Sequence, residues 1–211
     1  MSPTPGASVN PSRHPTEAAI RAVEERFLVG LPGVTEVWLI RHGECYDDLQ
    51  DDTDPALSPR GREQVQRLSE RLGRLQLDAV YTSPLRRARE TAAALSSDVH
   101  TDARLVEAMA AMEDGWFRPI EPFETVADRM AAAVDDALTA HPPAGSAPGG
   151  RIAIVAHGGS ITAYLGRVLR LEAGSRLRVL PFFTSVNIVR ARESARAVGT
   201  INDVSHLEGL E

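Results

Sequence analysis

The sequence predicts an α/β fold: a three-layer sandwich with a mostly parallel central sheet flanked by helices. Three observations predict it. Short apolar runs alternate with amphipathic stretches along the chain, which is the order of a sheet built from strand–helix units. Two of those runs, 34–40 and 151–156, are almost continuously apolar, as strands buried on both faces are. No repeat of 20 to 50 residues is visible, which argues against a solenoid or a propeller.

Each element has its own signal. Residues 1–15 hold Pro, Ser and Gly without an apolar stretch and are expected to form a disordered leader rather than a secretory signal. The remainder, 16–211, is expected to be one domain. An extra N-terminal helix over 16–30 is suggested by Ala19, Ile20, Val23, Phe27 and Leu28 at helical spacing, with Thr16 as its cap. Val34–Ile40 reads as the first strand. Arg60–Leu75 reads as a helix with Val65, Leu68, Leu72 and Leu75 on one face. Asp78–Thr82 is a second strand, followed by a helix starting near Pro84 and reaching Leu95, since proline suits a first helical position. Val99–Leu105 is a short third strand, and Thr125–Ala140 a helix. A Pro/Gly-rich loop then leads to the strand Arg151–Ala156 and a helix over Ser160–Leu171. Ser185–Arg190 and Ala197–Ile201 close the chain as strands.

Bulk composition narrows the function classes. The 211 residues suit one domain, and 43% hydrophobic with 25% charged residues is the mixture of a soluble globular protein. A net charge of −6 disfavours broad attraction to nucleic acid or to an anionic membrane. Cys45, the single cysteine, excludes an internal disulfide and points to a reducing, cytoplasmic setting. No apolar run approaches the length of a membrane span.

The chemistry concentrates where strands end. The first strand runs into Ile40-Arg41-His42-Gly43-Glu44, and 151–156 runs into His157-Gly158-Gly159-Ser160. Both put a histidine at the carboxyl edge of the sheet, where ligands bind in such folds, before a glycine expected to let the backbone turn sharply. If the two strands are neighbours, the imidazoles face one another. The strand at 78–82 delivers Arg86 and Arg87 to the same edge. Histidines with arginines make a poor metal site and a good site for a phosphoryl group, because guanidinium forks pair with its oxygens. The helix starting near Ser160 is expected to add backbone N–H groups. Neighbouring arginines favour the neutral imidazole that a nucleophile must be.

These residues carry a family resemblance. Arg41-His42-Gly43-Glu44 after an apolar strand resembles the signature of the histidine phosphatase superfamily, which includes the phosphoglycerate mutases. Leu57-Ser58-Pro59-Arg60-Gly61-Arg62-Glu63-Gln64, Thr82 to Thr91, Leu105-Val106-Glu107, Val155 to Gly159 and Asn202-Asp203-Val204-Ser205-His206-Leu207 are similar to further segments of that family, in order. The resemblance spans roughly residues 34 to 207 and implies a phosphoglycerate mutase-like fold. It implies His42 as nucleophile, with Arg41, Arg87 and His157 holding the phosphoryl group. Glu107 becomes the proton donor and then the base, with Glu113 and Asp114 as nearby carboxylates able to substitute. Neither a metal nor a cofactor is expected.

The sequence also departs from the family. Cys45 stands where Ser or Thr is common, and ungapped counting puts Asp48 at a position where many members face the phosphate with Asn. Only the end of the usual pattern after the acid survives in Ala111 to Gly115, and the stretch from Gly115 to Glu124 is short, implying an open site. Arg86 and Arg89 read as solvated helix residues; His14, His100 and His141 read as uninvolved, and His206 as packing. The acidic run Asp47 to Asp54 is expected to repel polyanionic substrates and to tolerate neutral or cationic leaving groups.

The expected function is a metal-independent phosphatase acting on a small phosphomonoester, with a phosphoprotein as another candidate substrate. Two alternatives stand beside it: a phosphoglycerate mutase, and a weakly active phosphate- or phosphoprotein-binding module. No nucleic-acid or membrane partner is expected, and a dimer is compatible with the sequence.

Overall fold

The computed structural model describes residues 16–46, 54–113, 116–143, 149–172 and 179–210, with 110–113 and 116–119 described by backbone alone. The expected leader at 1–15, Asp48 and most of the acidic run lie outside the described residues. Among those described, no helix is long and apolar enough to cross a membrane.

Eight strands are described: β1 (Thr35–Arg41), β2 (Ala79–Thr82), β3 (His100–Thr101), β4 (Ala110–Glu113), β5 (Trp116–Pro119), β6 (Arg151–Ala156), β7 (Val186–Arg192) and β8 (Ala195–Asp203). The helices are α1 (Glu17–Phe27), α2 (Pro59–Leu72), α3 (Arg86–Ala93), α4 (Phe123–Ala140) and α5 (Gly158–Val168). The central sheet has the order β3-β2-β6-β1-β7-β8. Its β3, β2, β6 and β1 strands are parallel, and β7 and β8 extend it antiparallel. The fold is therefore the mostly parallel α/β sandwich that the sequence predicts.

Alternation along the two central strands builds both outer layers. Val37 and Leu39 of β1, with Ile152 and Ile154 of β6, face Met130 and Val134 of α4 and Ile161 and Leu165 of α5. Trp38, Ile40, Ala153 and Val155 face the opposite way, onto Leu68 and Leu72 of α2 and Ala88 and Ala92 of α3. Burial on both faces is why these strands read as unbroken apolar runs. The helix starts follow local chemistry. Ser58 Oγ accepts the Gly61 N–H at 2.9 Å, with Pro59 in the first turn of α2.

Several elements differ from expectation. Ser83 Oγ accepts the Leu85 N–H, and Leu85 is extended, so α3 begins at Arg86 rather than at Pro84. The strand expected over 99–105 shrinks to His100–Thr101, because the Asp102 side chain accepts the Arg104 N–H and caps a 3-10 turn at Ala103–Leu105. The helix expected over 160–171 spans Gly158–Val168, and Arg170 has a positive φ of 54° just beyond its end. The stretch from Gly115 to Glu124, expected to be short, holds β5, which pairs with β4 as a hairpin.

The N-terminal helix forms where expected, but its apolar stripe is not core. Ile20, Val23 and Phe27 are 46%, 57% and 47% exposed, and α1 has no buried residue. It is anchored by the residue after it: Leu28 packs with Val34 and Ala197. Leu39→Ala, made at a fully buried site, is expected to lower the unfolding free energy by about 2–5 kcal/mol. Val23→Ser is expected to change it by less than about 0.5 kcal/mol. Urea unfolding of both variants checks this contrast.

Candidate active site

Strand register brings the two histidines together. In the parallel β1–β6 pair Arg41 lies opposite Ala156, so His42 and His157 leave the sheet at one level. The ladder continues past the strand ends: His42 N donates to Ala156 O at 3.0 Å, and Ser83 N to Val155 O at 3.0 Å. The His42 and His157 rings are 5.0 Å apart, centroid to centroid, and both are buried. Arg41, His42, Arg87 and Glu107 line one cleft of about 670 Å³, together with Glu44, Cys45, Tyr46, Pro55, Ser58 and Phe183. All five residues singled out in the sequence thus lie in or against a single cleft.

The tautomer of His42 follows from its partners. Gly43 O lies 2.7 Å from Nδ1, and a carbonyl only accepts, so Nδ1 carries the proton. Nε2 keeps its lone pair and accepts from Arg87 Nε at 3.2 Å. Burial holds the His42 pKa down to about 3, against the pull of the Gly43 carbonyl; Arg87 and Arg41 lower it further. His157 is also held well below its ordinary value, first by burial, then by His42 and the two arginines. Both rings are therefore neutral at neutral pH.

His157 is oriented by Ser83, whose Oγ is 2.8 Å from Nε2. Ser83 Oγ accepts from Leu85 N and has its own proton to give to His157 Nε2. In that arrangement the His157 proton sits on Nδ1, which finds no partner among the described residues; neither does Arg41 Nε. Two buried donors without acceptors beside one cleft fit an anion there. Arg41 is otherwise fixed: its Nη1 donates to Pro181 O at 2.7 Å, and its guanidinium lies 4.0 Å from the Phe183 ring centroid.

Helix α5 does not do what the sequence suggests. It begins at Gly158, and its Gly159 and Ser160 N–H groups donate to Glu107 Oε2 and Oε1 at 3.3 and 3.1 Å. The positive helix end thus holds a carboxylate of this chain rather than a phosphoryl group. A Cβ on Gly159 would meet Glu107 Oε1 at 2.6 Å, so only glycine leaves room for this contact. The glycines after the histidines also differ from expectation. Positive φ among the described glycines occurs only at Gly30, Gly33 and Gly209. Gly43 serves close packing instead, since a Cβ there would sit 2.8 Å from Val65 Cγ2 and 2.9 Å from Gly61 O.

Several contributors escaped the sequence. Arg129 of α4 donates to Arg104 O, Val106 O and Glu107 O at 2.6, 2.7 and 3.1 Å, and pairs with Glu121 at 2.9 Å. One guanidinium so splints the loop that carries Glu107. Its only sequence signal is an arginine within an otherwise ordinary amphipathic helix. Ser83 stood within a recognised segment without a role, and Phe183 had no signal. The closing Asn202–Leu207 segment braces the Phe183 loop: Asn202 Oδ1 accepts from Phe182 N at 2.7 Å, and His206 Nε2 lies 3.0 Å from Thr184 Oγ1.

Most of the remaining described candidates fall outside the cleft. Arg86 and Arg89 are exposed, and Arg86 pairs with Glu90. His100 and His141 cluster with Tyr81, whose hydroxyl is 3.1 Å from His141 Nε2. Cys45 lines the cleft and bridges to Leu57. Glu113 is described by backbone alone, and Asp114 and His14 lie outside the described residues. No three His, Cys, Asp or Glu side chains gather as a metal-ligand set among the described residues.

The family model for the histidine phosphatase superfamily (branch 1) matches residues 37–114 and 108–204. The chain belongs to that superfamily. The "Probable phosphoglycerate mutase GpmB" of Klebsiella pneumoniae is 28% identical to this histidine phosphatase homologue over 210 residues, covering 82% of this chain and 95% of its own. Among solved structures, Bacillus stearothermophilus YhfR superposes with a TM-score of 0.68 at 24% identity, covering 82% of this chain and 99% of its own. A phosphoserine phosphatase mutant from Entamoeba histolytica, in complex with phosphoserine, gives 0.66 at 20% identity, with the same coverage. These two likenesses establish the shared fold.

Burial of neutral histidines ties the stability of this superfamily member to pH. The His42 pKa is about 3 and that of His206 about 4, both lowered first by burial. Unfolded histidine titrates near about 6.5. This stabilisation is therefore complete above that pH and is lost as pH falls toward the folded values. Each such histidine contributes up to about 1.4 kcal/mol per pH unit inside the window. Urea unfolding between pH 6 and 5 is expected to show falling stability, with a slope shallower by about one proton in His42→Ala.

Proposed function

We propose that this chain is a phosphatase that hydrolyses phosphomonoesters through a phosphohistidine on His42. The observation that carries the reading is the His42 hydrogen-bond pair: Nδ1–H is committed to Gly43 O, and the Nε2 lone pair faces Arg87 in the cleft. An imidazole in this state is a nucleophile without any prior proton removal.

The proposed steps use the groups that line the cleft. A phosphoryl group takes Arg87, Arg41 and His157 Nδ1–H as donors, and Arg87 leaves His42 Nε2 to do so. The Nε2 lone pair forms a bond to phosphorus as the ester P–O bond breaks, and Glu107 gives a proton to the departing oxygen. The Nδ1–H bond to Gly43 O then stabilises the charge that the ring acquires. In the second half, a water gives its proton to Glu107 and its oxygen to phosphorus. The P–N bond breaks, its electrons return to Nε2, and inorganic phosphate departs. Fixed guanidinium and imidazole donors supply the positive charge that the phosphoryl oxygens need.

A phosphoglycerate mutase is the second reading, favoured by the name of the Klebsiella relative. A mutase keeps water from the phosphohistidine while an intermediate turns over. Dependence of phosphoglycerate interconversion on bisphosphoglycerate separates the two readings.

Hydrolysis of p-nitrophenyl phosphate in EDTA is expected to persist in the intact protein and to vanish in His42→Ala. Activity surviving in His42→Ala overturns the assignment of the nucleophile. Glu107→Gln is expected to separate substrates by leaving group. On kcat/KM, which reports the first phosphoryl transfer, alkyl phosphates should lose about 10²–10⁴-fold. p-Nitrophenyl phosphate, whose leaving group needs no proton, should lose far less. Gly159→Ala, which crowds the same carboxylate, should show a weaker form of this split. A uniform loss across leaving groups would remove Glu107 from the acid role.

A further inference from the structure

Groups of both charges stand around the cleft. On the phosphoryl side stand Arg41 and Arg87, with the neutral His42 and His157. Arg41 already spends Nη1 on Pro181 O and one face on Phe183. A phosphate dianion uses what these two arginines have left. Carboxylates stand in and beside the same lining. Glu44 is pinned by Ser58, whose Oγ–H donates to Oε1 at 2.8 Å, and it makes no ion pair among the described residues. Asp54 sits 3.8 Å from Arg87 Nη1, next to the lining residue Pro55, and accepts the Arg86 N–H at 2.7 Å. The neutral contribution is aromatic or apolar: Tyr46, 47% exposed at the mouth, with Pro55 and Phe183.

From these carboxylates and apolar surfaces we propose that the cleft selects phosphomonoesters whose leaving group carries no negative charge and offers an aromatic or aliphatic face. This rests on the phosphatase reading above and adds to it the class of substrate. A carboxylate or second phosphate on the leaving group meets Glu44 and Asp54, where like charges repel at short range and under partial desolvation. An uncharged group packs on the tyrosine, proline and phenylalanine surfaces without that repulsion. The selectivity departs from the phosphoserine found in the Entamoeba homologue, which carries a carboxylate on its leaving group. The phosphoryl end of the site can be shared across a family while the mouth decides the substrate.

An isosteric pair tests this: 4-carbamoylphenyl phosphate and 4-carboxyphenyl phosphate, alike in shape and differing by one charge. The wild-type protein is expected to favour the carbamoyl compound by about tenfold or more in kcat/KM. That ratio should narrow in Glu44→Gln, which keeps the Ser58 hydrogen bond, and in Asp54→Asn. It should also narrow with added salt, since the mouth is partly exposed. Hydrolysis of both at equal rates, or a preference for the carboxylate, overturns the selectivity and leaves the phosphatase reading standing. Hydrolysis of neither overturns the phosphatase reading, and the selectivity is then read by titrating both compounds into His42→Ala. Tighter binding of the carbamoyl compound supports it, and equal binding overturns it.

Discussion

The parallel pairing of β1 with β6 is the constraint on which the site depends. Its register sets Arg41 beside Ala156, and each strand is followed at once by a histidine. A slip of one residue would turn every side chain of a strand to the other face. It would exchange Val37 and Leu39 for Trp38 and Ile40 between two differently shaped helical layers, and would separate the imidazoles. Because both faces are fully buried, that register is held by the whole core. The 5.0 Å between the two rings is thus a consequence of packing far from the cleft.

Holding neutral imidazoles in that position has a structural reason and a cost. Burial withdraws water, and the nearby guanidinium groups oppose a second positive charge, so both rings stay unprotonated where free histidine would begin to charge. The same burial makes the fold sensitive to acid, because unfolding releases rings that protonate readily. Part of the apparatus manages proton placement rather than net charge. Gly43 O holds the His42 proton on Nδ1 and leaves Nε2 facing Arg87, whereas Ser83 sits at Nε2 of His157 and leaves Nδ1 as the position for that ring's proton. One ring therefore presents a lone pair and the other a donor. Neither outcome needs an additional charged group in the cleft.

Much of this was legible in the sequence because it is local. Apolar runs, a cap at Ser58 and histidines directly after strands are read within a few residues of one another, and they led to the correct architecture and to one cleft. The illegible parts are long-range or depend on competition between neighbours. Arg129 reaches back 22 to 25 residues to three carbonyls, and no periodicity announces such a contact. Helix α5 has free N–H groups that suit any anion, and sequence alone does not say that Glu107 takes them. Amphipathic spacing marks α1 as a helix, yet Ile20, Val23 and Phe27 remain exposed. Periodicity states which residues share a face, and only packing decides whether anything covers it.

Glu107 shows how these levels join. Its loop is clamped from one side by Arg129 through main-chain carbonyls, while its carboxylate is clamped from the other by the first N–H groups of α5. The helix that follows His157 is therefore also the anchor of the candidate acid, so moving one group displaces the other. A proton donor for an ester oxygen must lie close to it before the bond begins to break. Two independent attachments on different elements restrict the carboxylate more than a single contact to a mobile side chain would. The proposed phosphoryl cradle and the candidate acid consequently form one mechanical unit, whereas Tyr46, Glu44 and Asp54 belong to the segment after the first histidine. On the proposed reading, variation in that segment changes which alcohol departs without disturbing how phosphorus is held.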